Sequence, residues 1–216
     1  MCGRITLRTP ANLLVERFML GSVPDLQPRY NIAPTQEVLI VRAIDGQREG
    51  TMMRWGLIPS WAKDPRIGSS MINARCETIA EKPAFRTAFK RRRCLVPVDG
   101  YYEWKSQGKT KIAHLYEHAG GEPFALAGIW ESWQSMCTFS ILTTAANALA
   151  ATIHDRMPVI LGSEDCKRWL DPAAEATDLQ PLLEPYPADM LQVREVGQHV
   201  NNARHEGPDC VAPLLF

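Results

Sequence analysis

What this 216-residue chain lacks narrows it first. No uninterrupted apolar run approaches the ~18–20 residues that a membrane span requires. The first twenty residues carry Arg4, Arg8, Glu16 and Arg17 where a secretory signal would be apolar. A soluble cytoplasmic protein with no membrane partner is therefore expected, nucleoid-associated if bacterial. The six cysteines form no C-x-x-C pair and are never closer than eighteen residues, so neither a zinc ribbon nor a thioredoxin-type centre is indicated. No disulfide framework, metal or cofactor is expected. Internal repeats, low-complexity tracts and domain-separating linkers are also absent, which predicts one domain over 1–216 and requires nothing beyond a monomer.

Net charge is missing too, because 24 basic residues balance 24 acidic ones. The distribution is nevertheless polar along the chain. Residues 1–110 hold eighteen Lys/Arg against ten Asp/Glu, and residues 111–216 hold six against fourteen. Such a chain can focus positive potential on one face and attract phosphates without a basic pI. The densest block is Lys90-Arg91-Arg92-Arg93, which equally suits a helix end where cations offset the dipole.

Cys2 follows the initiator methionine directly, and its small side chain favours removal of Met1. An N-terminal cysteine joins an amine of pKa ~7.7–8.0 to a thiol of pKa ~8.5 on adjacent carbons. That pair can catalyse acyl transfer, or it can capture an aldehyde through both atoms as a thiazolidine. On position alone, Cys2 can also be the second residue of a frayed terminus.

Downstream, Thr9-Pro10 precedes helical spacing through Leu13, Leu14, Phe18 and Leu20. The stretch from Asp25 to Pro34 looks irregular. Strands are predicted at residues 37–43, 51–57, 94–98, 101–105, 112–117, 124–130, 137–143 and 158–161, with helices over 82–92 and 164–170. Most connections are too short for parallel crossovers, so the fold class is α+β and mainly antiparallel. The tail from Glu164 to Phe216 is assigned packing rather than chemistry.

Polar side chains inside apolar or glycine-marked segments mark candidate chemistry, because burying them costs free energy unless they are paired or functional. Asn73 stands beside Met71-Ile72, Glu103 between aromatics in Gly100-Tyr101-Tyr102-Glu103-Trp104, and His154 just before a strand. Taken singly, Asn73 suits a turn, Glu103 the outward face of an alternating strand, and His154 a loop. With Cys2 they supply a nucleophile, a proton-transferring carboxylate and an imidazole. Aromatics interleaved with cations at Arg54-Trp55, around Trp61 and at 101–104 can stack bases beside phosphate contacts, although Trp55 and Trp104 suit a core equally well.

These segments lie in the order Met1-Cys2-Gly3-Arg4, Tyr30 to Thr35, Arg54 to Trp61, Asn73-Ala74-Arg75-Cys76-Glu77, Lys82 to Arg86, Arg93 to Pro97, Gly100 to Trp104, Ala127 to Glu131, His154 to Pro158 and Val200-Asn201-Asn202. Across essentially the whole chain this order resembles the SRAP family, the SOS-response-associated peptidase-like proteins that cross-link to abasic sites in DNA. The resemblance implies a compact domain built on a strongly bent, barrel-like sheet with flanking short helices, with Cys2 at the bottom of a groove for single-stranded DNA. It implies that Cys2 bonds through amine and thiol to C1′ of the opened abasic sugar and that Asn73 holds the amine and sugar. Glu103 would shuttle protons, and His154 would protonate the sugar oxygen and assist reversal. DNA contacts would fall on Arg4, Trp61, Arg75, Thr143 and Arg156, with Asn31 to Pro34 as a wedge at the lesion. The alternatives are a thiol autopeptidase using Cys2 and a non-covalent reader of single-stranded or modified DNA.

Overall fold

A computed structural model describes residues 2–214; Met1, whose removal the sequence predicts, and the end of the tail lie outside the described residues. In chain order the strands are β1 (Ile5–Leu7), β2 (Arg29–Ile32), β3 (Glu37–Ile44), β4 (Gln47–Trp55), β5 (Asn73–Arg75), β6 (Arg93–Val98) and β7 (Gly100–Gln107). They continue as β8 (Thr110–His118), β9 (Phe124–Trp133), β10 (Met136–Ala145), β11 (Arg156–Pro158), β12 (Ile160–Leu161) and β13 (Leu191–Glu195). Four short helices flank them: α1 (Ala11–Phe18), α2 (Arg86–Arg91), α3 (Ser163–Leu170) and α4 (Ala176–Leu179). Among the described residues, no helix is long and apolar enough to cross a membrane.

The predicted strands and helices all form, with β2 inside the stretch expected to be irregular and the 158–161 strand split into β11 and β12. The expected bent sheet is two sheets. One runs β13-β8-β7-β1-β2. In the other, β4, β3, β6 and β9 pair in succession and β10 bonds to both β4 and β9, closing a barrel. Pairing is antiparallel throughout except where β10 runs parallel to β4 and then to β5. Leu39, Ile40, Leu95, Leu126, Phe139 and Ile141, from both faces of this sheet, belong to one core and are buried to within 1%. Burying each such side chain contributes roughly 1.5–3 kcal/mol.

β10 organises one side of the functional region. Thr143 is in register with Arg75 of β5 on one edge and with Pro158 of β11 on the other, while Ala145 is opposite Arg156. β1 organises the second side, because it lies between β2 and β7 in the first sheet. Cys2, three residues before β1, therefore sits where the two sheets meet, and the Asn73 amide of β5 donates to its carbonyl at 2.8 Å.

The basic block divides. Arg93 is buried, and its guanidinium donates to the carbonyls of Phe89, Lys90, Trp169 and Asp171, at the C-terminal ends of α2 and α3. A cation there satisfies orphan carbonyls and opposes both helix dipoles. Arg92 pairs with Glu131 at 2.5 Å and lies over the Trp130 ring, leaving Lys90 and Arg91 as the exposed cations of the block.

Candidate active site and nucleic-acid interface

Four segments far apart in sequence bring Cys2, Asn73, Glu103 and His154 into one electrostatic neighbourhood. Cys2 is fully buried, and burial, then the nearby Glu103 carboxylate, pushes its thiol well above the ordinary value. Burial also raises Glu103, while His154 opposes the rise. The Asn73 Oδ1 is a buried acceptor without a hydrogen-bond partner among the described residues, although Nδ2 of the same amide is engaged by Cys2. An unpaired buried carbonyl costs about 1–3 kcal/mol, so a partner supplied on binding would recover that energy.

Alternation along β7 explains how the carboxylate reaches this place. Tyr101 and Glu103 project from one face, where Tyr101 joins the main core, whereas Tyr102 and Trp104 project from the other against Leu115 and Val200. Both faces are covered, so Glu103 is not an outward residue of a half-exposed strand; it is 5% exposed. On its face Tyr101 stacks on Tyr116 of β8, with centroids 4.7 Å apart and planes 2° from parallel. Burial raises both phenols, and neither hydroxyl has a partner among the described residues. The sequence offered Tyr101 as a base-stacking residue, which its full burial excludes, and gave no sign of Tyr116. The two-residue spacing from Tyr101 to Glu103 was the signal available for Tyr101.

His154 lies in the turn before β11, half-buried. Its Nδ1 is 3.0 Å from the Arg156 backbone N–H and 2.9 Å from an Asp155 carboxylate oxygen. One nitrogen cannot donate to Asp155 while accepting from Arg156. Asp155 is 86% exposed and water competes for it, whereas the backbone donor is fixed. Nδ1 therefore accepts from Arg156 when the ring is neutral and donates to Asp155 when it is protonated.

The residues expected to meet DNA divide into two sets. Arg75 is exposed with no ion pair among the described residues, and Trp61 is 61% exposed. The Trp61 loop is held at both ends: Ile58 N–H donates to Thr138 Oγ1 at 2.9 Å, and Trp133 Nε1 donates to the Ala62 carbonyl at 2.7 Å. Gly56 makes its entry possible, because at φ 121° its backbone passes so close to Gly68 that a Cβ would lie 2.6 Å from a carbonyl oxygen. Arg156 is held bidentately by Glu77 and donates to the Thr143 carbonyl at 2.6 Å. The Arg156 guanidinium beside Glu77 holds that carboxyl down at about 2.

The second set is internal. Arg4 donates to Asn31 Oδ1 at 2.5 Å and to the Val200 carbonyl at 2.7 Å, and lies over the Trp104 ring. Asn31 is fully buried, its amide donating to the carbonyls of Asn202 and His205 at 3.0 and 2.8 Å. Of the segment from Asn31 to Pro34, Pro34 alone is more than marginally exposed, next to Thr35 at φ 74°. Trp55 is core, stacked on Phe139, with Nε1 donating to the Ile72 carbonyl.

A family model described as SOS response associated peptidase (SRAP) matches residues 1–203. The chain belongs to the SRAP family. Its curated relatives include the abasic site processing protein YoqW of Bacillus subtilis, 41% identical over 98% of this chain and 99% of that one. The abasic site processing protein YedK of Escherichia coli is 29% identical over 99% of this chain and the whole of its own. A solved protein of Bacteroides thetaiotaomicron superposes over 99% of this SRAP chain and all of its own, with TM-score 0.86 at 28% identity. The paired sheets and short flanking helices described above are thus the SRAP architecture.

Proposed function

We propose that this SRAP protein processes abasic sites in single-stranded DNA by covalent capture through Cys2, once Met1 has been removed. The observation that carries the proposal is the convergence of Cys2, Asn73, Glu103 and His154 where the two sheets meet. The names of the relatives agree with it.

The electrostatics favour a particular order of bond making. Burial and the Glu103 carboxylate disfavour a Cys2 thiolate, so thiolate-first acyl transfer, as an autopeptidase would use, is poorly supported. An amine-first route needs no free thiolate. The closed abasic sugar opens as its C1′–O4′ bond breaks: the Glu103 carboxylate takes the proton of the C1′ hydroxyl, which becomes the aldehyde, and His154, acting as an imidazolium, gives one to O4′. The Cys2 amine adds to C1′ and passes one proton to the aldehyde oxygen; Glu103 gives its proton to the resulting hydroxyl, which leaves as water, and takes the second amine proton as the imine forms. The thiol then adds to C1′ and its proton passes to the imine nitrogen, closing the ring. Raised by burial, Glu103 holds its proton to higher pH than an ordinary carboxyl, which suits it to give and take one in turn. Asn73 Oδ1 is the acceptor available to the attacking amine.

Around this centre, Arg75 and, after exchanging Glu77 for phosphate, Arg156 would hold the strand, with Thr143 between them. Trp61 would stack on a neighbouring base, and Pro34 would occupy the gap at the lesion. Arg4 and Asn31 support that wall from within. The test is a denaturing gel of the whole protein incubated with a single-stranded oligonucleotide carrying one abasic site. A band shifted to the sum of both molecules is expected, absent for Cys2→Ala and for protein retaining Met1. A shift that survives Cys2→Ala, or no shift from protein confirmed to begin at Cys2, would overturn the proposal.

A further inference from the structure

The segment that braces Arg4 and Asn31 carries a side-chain cluster with no part in this chemistry. We infer that His199, His205 and Asp209 bind a borderline divalent transition-metal ion of the zinc class, which clips that segment together.

Three observations support the site. One ligand atom from each residue lies within 4.8 Å of the other two. His205 Nε2 is 2.9 and 2.8 Å from the two Asp209 oxygens, and His199 Nδ1 is 3.7 Å from the nearer one. The two imidazoles stack, with centroids 5.0 Å apart. A tetrahedral zinc ion with bonds of about 2.0–2.2 Å needs ligand atoms roughly 3.3–3.5 Å apart, so His205 and Asp209 would separate by about half an ångström and the exposed His199 ring would close on both. The ion would displace the proton shared between His205 and Asp209 and keep its fourth position for water. Two imidazole nitrogens and one carboxylate favour zinc, nickel or copper over magnesium or calcium, which take oxygen ligands.

The ligands are also held in place before any ion arrives. Val200 and Cys210, each next to a ligand, are fully buried. The 3-10 turns at Gln198–Asn201 and Pro208–Cys210 fix the backbone on either side, and Asn31 holds the carbonyls of Val200, Asn202 and His205. Cysteine spacing gives no hint of such a site. An ion here would therefore stiffen the support of Arg4 and Asn31 without touching Cys2.

The experiment is calorimetric titration of the whole protein with Zn(II) in excess Mg(II), paired with Co(II) absorption. The expected result is saturation at one equivalent, an affinity loss of at least about tenfold in each of His199→Asn and Asp209→Asn, and visible cobalt d–d bands of tetrahedral intensity without a thiolate charge-transfer band. His199 is exposed, so its variant keeps the fold. No saturable binding would overturn the inference and leave a hydrogen-bonded His–Asp cluster. So would binding unchanged in both variants, or a cobalt–thiolate band, which would assign the ion to cysteine.

Discussion

Asn73 combines a structural bond with an unused acceptor, so its replacement by alanine separates stability from chemistry. Asn73→Ala removes the 2.8 Å bond from Nδ2 to the Cys2 carbonyl, a loss of about 1 kcal/mol. The same change removes Oδ1, the buried acceptor unpaired among the described residues, and relieves a cost of about 1–3 kcal/mol. The second offsets the first. The net change should lie between zero and about 2 kcal/mol of stabilisation, which for a domain of this size leaves the unfolding midpoint unchanged or raises it by up to about 4–8 °C. Cross-linking should suffer far more, because the amine loses the group that positions it, and a misplacement of about 1 Å can cost 10²-fold in rate. Thermal melting and single-turnover cross-linking on one sample measure both. A large fall in the midpoint with an unchanged rate per folded molecule would refute the reasoning and make Asn73 purely structural.

Other changes probe the remaining parts. Burial raises Glu103 above the ~4.3 of an unfolded glutamate, so the folded state bears a cost that is absent at low pH and appears as pH rises through the raised value. Glu103→Gln should be more stable than the parent at pH 8 and no more stable at pH 4, while cross-linking is lost. Melts across pH check this, and a pH-independent difference would contradict it. Glu77→Gln should release Arg156 and tighten binding of single-stranded DNA at low salt, whereas Arg156→Ala should weaken it and reduce the salt slope by about 1. Fluorescence anisotropy at several salt concentrations reads both. Gly100→Ala places a Cβ 2.5 Å from the Tyr116 carbonyl oxygen and should lower stability by about 1–3 kcal/mol in denaturant titration, because β7 must separate from β8.

Long strands and the amphipathic helices were legible in the sequence because their periodicity extends over enough residues to register. β1, β5 and β2 were not, since three or four residues carry no period, and they are the strands that place Cys2, Asn73 and Asn31. Barrel closure was hidden for a related reason. It depends on β10 bonding to both β4 and β9, partners separated by more than sixty residues of chain. Candidate chemistry was visible as buried-looking polar residues, yet alternation in β7 left an outward Glu103 open as the plainer reading, which burial excludes because that sheet is covered on both faces. Like charges also parted company: Arg93 and Arg4 satisfy internal carbonyls while Arg75 remains exposed, a division set by neighbours that folding supplies.

The central claim is that both atoms of the Cys2 aminothiol bond to one sugar carbon. Intact mass of the purified adduct, with and without borohydride, tests it most directly. A thiazolidine predicts a mass one water below the sum of protein and abasic DNA, unchanged by borohydride. A gain of two hydrogens on reduction would reveal an open imine, and an adduct at full summed mass would contradict the proposed chemistry.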